Sequence, residues 1–196
     1  MNKILVVSDS HRDTNILNDL LIKYYDFDYY LHLGDSELPE FLISPFASVK
    51  GNCDHEYYPP TKTLIIDNIK IYYEHGLSLL FDDIEYIKSK NCNIFLYGHT
   101  HIHAIKKINN TIICNPGSLT RPRDNTKGTY LIITIDKNHL EFKIFDINHL
   151  LIKKELFVIW IVLFVNYNNG GGVGIGGPGG NGIVDSTTRV GCPSTK

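Results

Sequence analysis

The sequence predicts an α/β fold of two stacked mixed sheets with helices on the outside, and three observations carry that prediction. Lys3-Ile4-Leu5-Val6-Val7-Ser8 is a continuous apolar, β-branched run, the pattern of an interior strand covered on both faces. In the first half of the chain such runs alternate with helical periodicities, as in βαβ units. In the second half they fall into hairpins around turn-forming pairs such as Asn109-Asn110.

Each element follows from its own residues. After the first run, Asp13 offers an N-cap, and Ile16, Leu17, Leu20, Leu21 and Tyr24 recur at helical spacing. Residues 29–33 form the next short strand, 38–43 a brief helix and 46–49 a third strand. Beyond the rigid break at Pro59-Pro60, residues 63–66 and 69–73 flank Asp67-Asn68 as a hairpin. Asp82 or Asp83 caps a helix using Ile84 and Ile87, which leads into the buried run Ile94-Phe95-Leu96-Tyr97. Strands at 103–108, 111–114, 129–135 and 140–145 complete the pattern.

Composition narrows the function classes. A length of 196 residues suits one domain with a sizeable core, and 43% hydrophobic against 20% charged residues is ordinary for a globular chain. A formal net charge of -2 provides no broad basic field, so sequence-independent nucleic-acid binding is not expected. No apolar run reaches ~18 residues, so no membrane partner is expected either. Cys53, Cys92, Cys114 and Cys192 show no paired spacing, and the start lacks a secretory pattern, which together favour the cytoplasm.

The domain is expected to span residues 1–155. An apolar terminal segment of unassigned role follows at 156–169. Residues 170–196 read as a disordered or appended tail, because nine of the thirteen residues from Gly170 to Gly182 are glycine and cannot repay their ordering entropy with buried surface.

Five polar clusters sit at the ends of five predicted strands: Asp9-Ser10-His11, Gly34-Asp35, Gly51-Asn52, His75-Gly76 and Gly98-His99-Thr100-His101. Any one alone reads as a turn. Together they supply two Asp, one Asn and four His, which is what two adjacent divalent ions need. A shared carboxylate neutralises both ions, neutral imidazoles add nitrogen ligands, and an amide oxygen completes a shell without charge.

In this order over residues 9 to 101, D-x-H, G-D, G-N, H-G and G-H-x-H resemble the calcineurin-like metallophosphoesterase superfamily. The short length, Gly51-Asn52-Cys53-Asp54 and Asn115-Pro116-Gly117-Ser118 resemble its small YfcE-like phosphodiesterase branch. The resemblance covers roughly residues 1 to 150. It implies a four-layer α/β/β/α sandwich. It also implies that Asp9, His11 and His101 hold one ion, and that Asp35 bridges to a second held by Asn52, His75 and His99. Manganese is the expected metal, with nickel, iron or zinc as alternatives. The implied activity is hydrolysis of a small phosphodiester by in-line attack of hydroxide generated between the two ions, with Asp9, Asp35, Asn52 and His99 counted as catalytic.

One position departs from the wider superfamily. Many relatives read G-N-H where this chain has Cys53, and that histidine is thought to protonate the leaving group. A thiol is a poorer acid for an alkoxide, which favours diesters or good leaving groups. Cys53, Ser118 and Arg121 are the expected substrate contacts, with Arg123 beside Arg121 in a compact basic pair. His32 reads as a core histidine and His103 as a strand residue. The rival readings are a protein-binding scaffold, which the retromer scaffold subunit exemplifies on this fold, and a phosphomonoesterase or nucleotidase. Homo-oligomerisation through edge strands is left open.

Overall fold

Both faces of the first apolar run are covered: Ile4, Leu5, Val6 and Val7 are fully buried. The structure, a computed structural model, describes residues 1–55, 58–76 and 83–159, all within one unit, Met1–Val162. The run forms β1 (Asn2–Val7), which pairs parallel with β2 (Tyr29–His32) and antiparallel with β9 (Thr129–Asp136). With β3 (Ala47–Ser48), β10 (His139–Asp146) and β11 (Leu151–Val158) they build a six-stranded sheet ordered β11-β10-β9-β1-β2-β3.

The second sheet comprises β4 (Thr61–Ile66), β5 (Ile69–Glu74), β6 (Ile94–Leu96), β7 (Ala104–Ile108) and β8 (Thr111–Asn115). Its order is β4-β5-β6-β8-β7, with β5, β6 and β8 parallel. The β4–β5 turn falls at Asp67-Asn68, both in the left-handed region (φ 48 and 67), as a primed hairpin turn demands.

Strand alternation sorts the apolar residues into three layers of contact. Ile4, Val6, Ile71, Ile94, Leu131 and Phe142 point between the sheets and form the main core. Leu5, Val7, Tyr130 and Ile132 face outward against Leu17 and Leu20 of α1 (Thr14–Lys23). On the far side, Tyr72, Phe95 and Ile113 pack against Ile87 of α3 (Ile84–Ser89). The short α2 (Glu40–Ile43) adds Ile43 to the first outer layer. The result is the α/β/β/α sandwich. Asp13 and Asp83 cap α1 and α3, each accepting backbone N–H bonds at 3.0–3.1 Å.

The last strand runs through the expected domain end at residue 155. In β11, Phe157 packs on the main core, and Lys154 reaches Glu141 of β10 at 2.6 Å. Residues 160–196, which include most of the apolar segment and all of the glycine-rich tail, lie outside the described residues. Among the described residues no helix is long and apolar enough to cross a membrane.

Candidate dimetal centre

Parallel pairing in register (Val7 opposite His32) ends β1 and β2 at the same level, so their following loops run side by side. Three backbone bonds zip them together: Asp9 N–H to Gly34 O at 3.1 Å, His11 N–H to Asp35 O at 3.1 Å, and Arg12 N–H to Ser36 O at 2.9 Å. The loops after β5 and β6 are joined likewise, Gly98 N–H donating to His75 O at 3.1 Å. His75 Nδ1–H then donates to Leu33 O at 2.7 Å, linking the two sheets.

Three of these loops share an unusual backbone pattern. Asp9 and His11, Asp35 and Glu37, and His99 and His101 are pairs two residues apart, and all six have positive φ, between 42 and 64. Such conformations cost roughly 1 kcal/mol or more per non-glycine residue and persist only where surrounding bonds over-determine them. They turn successive odd-numbered side chains toward one point.

The seven predicted ligands meet there. Asp9, His11 and His101 present one donor atom each within 4.8 Å of one another, as do Asp9, Asp35 and His75. His75 Nε2 lies 3.4 Å from Asp35 Oδ2 and 3.1 Å from Asn52 Oδ1. His99 Nδ1 completes this side, 3.0 Å from the same Asn52 oxygen. The His99 backbone N–H donates to Asp9 Oδ2 at 3.3 Å.

A cation fits the polar atoms left over. Asp9 Oδ1 and His11 Nε2 are buried with no hydrogen-bond partner among the described residues. His101 Nε2 approaches Asp9 Oδ1 at 3.1 Å without hydrogen-bond alignment, while its Nδ1–H donates to Arg121 O at 2.6 Å. The Nδ1–H donation leaves the Nε2 lone pair facing a carboxylate oxygen, two acceptors that only a positive charge reconciles. His75 repeats the arrangement, with Nδ1–H on a carbonyl and Nε2 on Asp35.

Electrostatics agree. Burial alone would raise the Asp35 carboxyl, but the His75 ring and the Cys53 N–H, at 2.7 Å, hold it well below the usual carboxylate range. Asp9 is the main cause that raises His101; at His75 burial works downward but is outweighed by Asp35 and Asp9. Burial and the neighbouring His75 lower His99. The site carries excess negative potential that protons, or cations, relieve.

Several residues support the site in roles that the motif reading did not assign to them. Asp54, almost fully buried, accepts backbone N–H bonds from Asp35 (2.8 Å), Glu37 (2.7 Å) and Gly51 (2.8 Å), and a hydroxyl bond from Ser36 at 3.3 Å. Glu37 Oε1 lies 2.7 Å from His11 Nδ1, and its Oε2 lies 3.0 Å from Arg12 Nε. The spacing Asp35-Ser36-Glu37 repeats Asp9-Ser10-His11, a parallel that would have exposed Glu37. Gly51 is required by closeness, since a Cβ there would overlap the Asp35 carboxylate and amide. His32 is fully buried: Gly34 N–H donates to its Nδ1 at 3.2 Å, so Nε2–H donates to Ser10 Oγ at 2.9 Å. Burial pushes it down to about 4, which keeps it neutral.

The expected substrate contact of Ser118 is corrected. Ser118 is fully buried, its hydroxyl donating to Asp9 O at 3.0 Å and accepting Arg121 N–H at 2.9 Å, so it fixes the ligand loop from beneath. Cys53 stands at the half-exposed rim, where burial and the Asp35 and Glu37 carboxylates push its thiol up to about 11. Arg121 is exposed, and its positive charge acts on Cys53, as that of Arg123 acts on His101. His103 Nδ1 pairs with Asp124 at 2.6 Å, just ahead of β7.

Known proteins resemble this chain in sequence or in fold. The probable metallophosphoesterase YsnB of Bacillus subtilis is 27% identical over 152 residues, covering 73% of this chain and 90% of YsnB. A predicted phosphoesterase from Streptococcus pneumoniae, solved by crystallography, superposes with a TM-score of 0.72 at 28% identity, over 80% of this chain and 97% of that one. The fold alone is shared with Vps29 of Cryptosporidium parvum, at a TM-score of 0.68, 19% identity and 80% and 98% of the two chains. It is shared likewise with Yfce, a phosphoesterase from E. coli, at 0.58, 18% and 78% and 98%. The model of the calcineurin-like phosphoesterase superfamily domain matches residues 2–138. With that match over most of the chain, and with donors that could hold metal converging at its strand ends, the chain belongs to the calcineurin-like phosphoesterase superfamily.

Proposed function

We propose that the chain is a phosphodiesterase that holds two divalent cations, manganese foremost, and hydrolyses small phosphodiesters. The observation that carries this reading is the set of buried, unpartnered donor atoms, Asp9 Oδ1 and His11 Nε2, beside imidazoles whose lone pairs face carboxylates. Asp9, His11 and His101 would hold one ion and Asn52, His75 and His99 the other, with Asp35 common to both. Such ions supply Lewis acidity, making hydroxide available at neutral pH and neutralising charge on the phosphoryl oxygens.

The chain's own residues do the rest. Carbonyls of Leu33 and Arg121 fix the His75 and His101 rings with Nε2 inward, so the ligands are oriented before loading. Arg121, exposed at the rim, supplies a guanidinium for the remaining phosphate oxygens. In the ion-free chain burial and the Asp35 and Glu37 carboxylates hold the Cys53 thiol up as a weak acid, which favours leaving groups that need no protonation. The free thiols of Cys53, Cys92 and Cys114 suit a reducing cytoplasm.

Hydrolysis of bis(4-nitrophenyl) phosphate, compared with 4-nitrophenyl phosphate in the presence of manganese and again after chelation, tests the proposal. Metal-dependent turnover of the diester above the monoester is expected. Preference for the monoester would favour a phosphomonoesterase, and no turnover with metal bound would favour a protein-binding scaffold. Filled ligand positions on all five loops argue against the scaffold. Cys53→Ala is expected to change kcat on the nitrophenyl diester by less than about threefold, because that leaving group departs unprotonated. A larger loss in steady-state kinetics would give Cys53 a direct part in turnover.

A further inference from the structure

Glu37 belongs to none of the motifs that define the site, yet its geometry matches that of the ligands. It follows Asp35 by two residues, as His11 follows Asp9 and His101 follows His99, and like them it has positive φ, 54. Its backbone is pinned by Asp54, which accepts the Glu37 N–H at 2.7 Å. The side chain is 13% exposed, and its two oxygens are divided between two partners, His11 Nδ1 at 2.7 Å and Arg12 Nε at 3.0 Å. Arg12 itself stands 64% exposed at the rim.

The division has a chemical consequence. A carboxylate oxygen on Nδ1 requires the His11 proton to reside there, which leaves the buried, unpartnered Nε2 as a lone-pair donor. A carboxylate on the far nitrogen also makes the near one a stronger base. Arg12, by occupying the second oxygen, stops Glu37 from rotating away and offsets its charge.

We propose that Glu37 is the positioning residue of the first cation site, fixing the tautomer and ring orientation of His11, with Arg12 as the brace that holds Glu37 in place. The inference rests on the dimetal reading above and deepens it. His75 and His101 achieve the same end with backbone carbonyls, of Leu33 and Arg121. His11 alone uses an ionisable side chain, so the first site depends on a residue that a single substitution can remove.

The test is manganese titration of the whole chain by calorimetry, with the cobalt-loaded visible spectrum as a second readout. Wild type is expected to bind two ions. Glu37→Ala is expected to weaken one site about 10–100-fold and leave the other unchanged. Glu37→Gln keeps an acceptor for the Nδ1 proton without the charge, so it should recover much of that loss and controls for folding of the alanine variant. Arg12→Ala should have a smaller effect than Glu37→Ala on the same site. Wild type binding two ions and Glu37→Ala binding both equally well would overturn the inference alone. A wild-type chain that binds no pair of ions would overturn the dimetal reading and this inference with it.

Discussion

Replacing Asp35 by asparagine is expected to lower diester turnover at least about a thousandfold and to leave one tightly held cation in place of two, because on the dimetal reading proposed above the substitution removes the ligand charge common to both. The prediction is sharp because the backbone should survive it. Asp35 Oδ1 accepts the Cys53 N–H at 2.7 Å, a bond that the asparagine carbonyl reproduces, whereas the negative charge facing His75 is lost. Parallel measurement of kcat/KM and of manganese bound at equilibrium dialysis separates the two effects. A variant that keeps both ions, or more than a tenth of the rate, would remove Asp35 from the bridging position.

The largest structural effect is expected at Asp54. Alanine there strands three backbone N–H groups, those of Asp35 and Gly51 buried and that of Glu37 partly so. Losing charge-assisted bonds and leaving buried donors unsatisfied costs roughly 3–5 kcal/mol, equivalent to a fall of about 10 °C in melting temperature for a domain of this size. Urea denaturation of the ion-free protein measures this independently of activity. Asp54→Asn should fall between wild type and alanine, since one amide oxygen still accepts while the amide nitrogen opposes a donor. Equal stability of all three proteins would show that the loops after β2 and β3 hold their shape by other means.

The contrast between these two aspartates explains what could be read in advance. Asp9, Asp35, His75 and His99 stand out because each follows an apolar strand, and strand ends in an open α/β arrangement gather at one edge. Asp54 is part of the Gly51-Asn52-Cys53-Asp54 motif, but its role could not be read there, since its importance lies in amides of a loop 17 to 19 residues away. Ser118 is harder still: its partner, the Asp9 carbonyl, is 109 residues distant, and no local pattern announces such a bond. Motif spacing reports which side chains converge on the candidate cation site, whereas the bonds that hold those side chains run between loops and obey no period. The same reason hid the extent of β11, where Lys153-Lys154-Glu155 interrupts the apolar signal although Lys154 is satisfied by Glu141 across the strand pair.

Donors hang from both sheets of the sandwich: Asp9, His11, Asp35 and Asn52 on loops after β1, β2 and β3, and His75, His99 and His101 on loops after β5 and β6. On the dimetal reading proposed above, ions seated among them would span the seam where the two sheets meet and hold it shut at one end. Occupancy would thereby be converted into robustness, about 2.7 kcal/mol when free metal exceeds its dissociation constant a hundredfold. A cell starved of the metal would lose the enzyme's resistance to heat and proteolysis together with its chemistry.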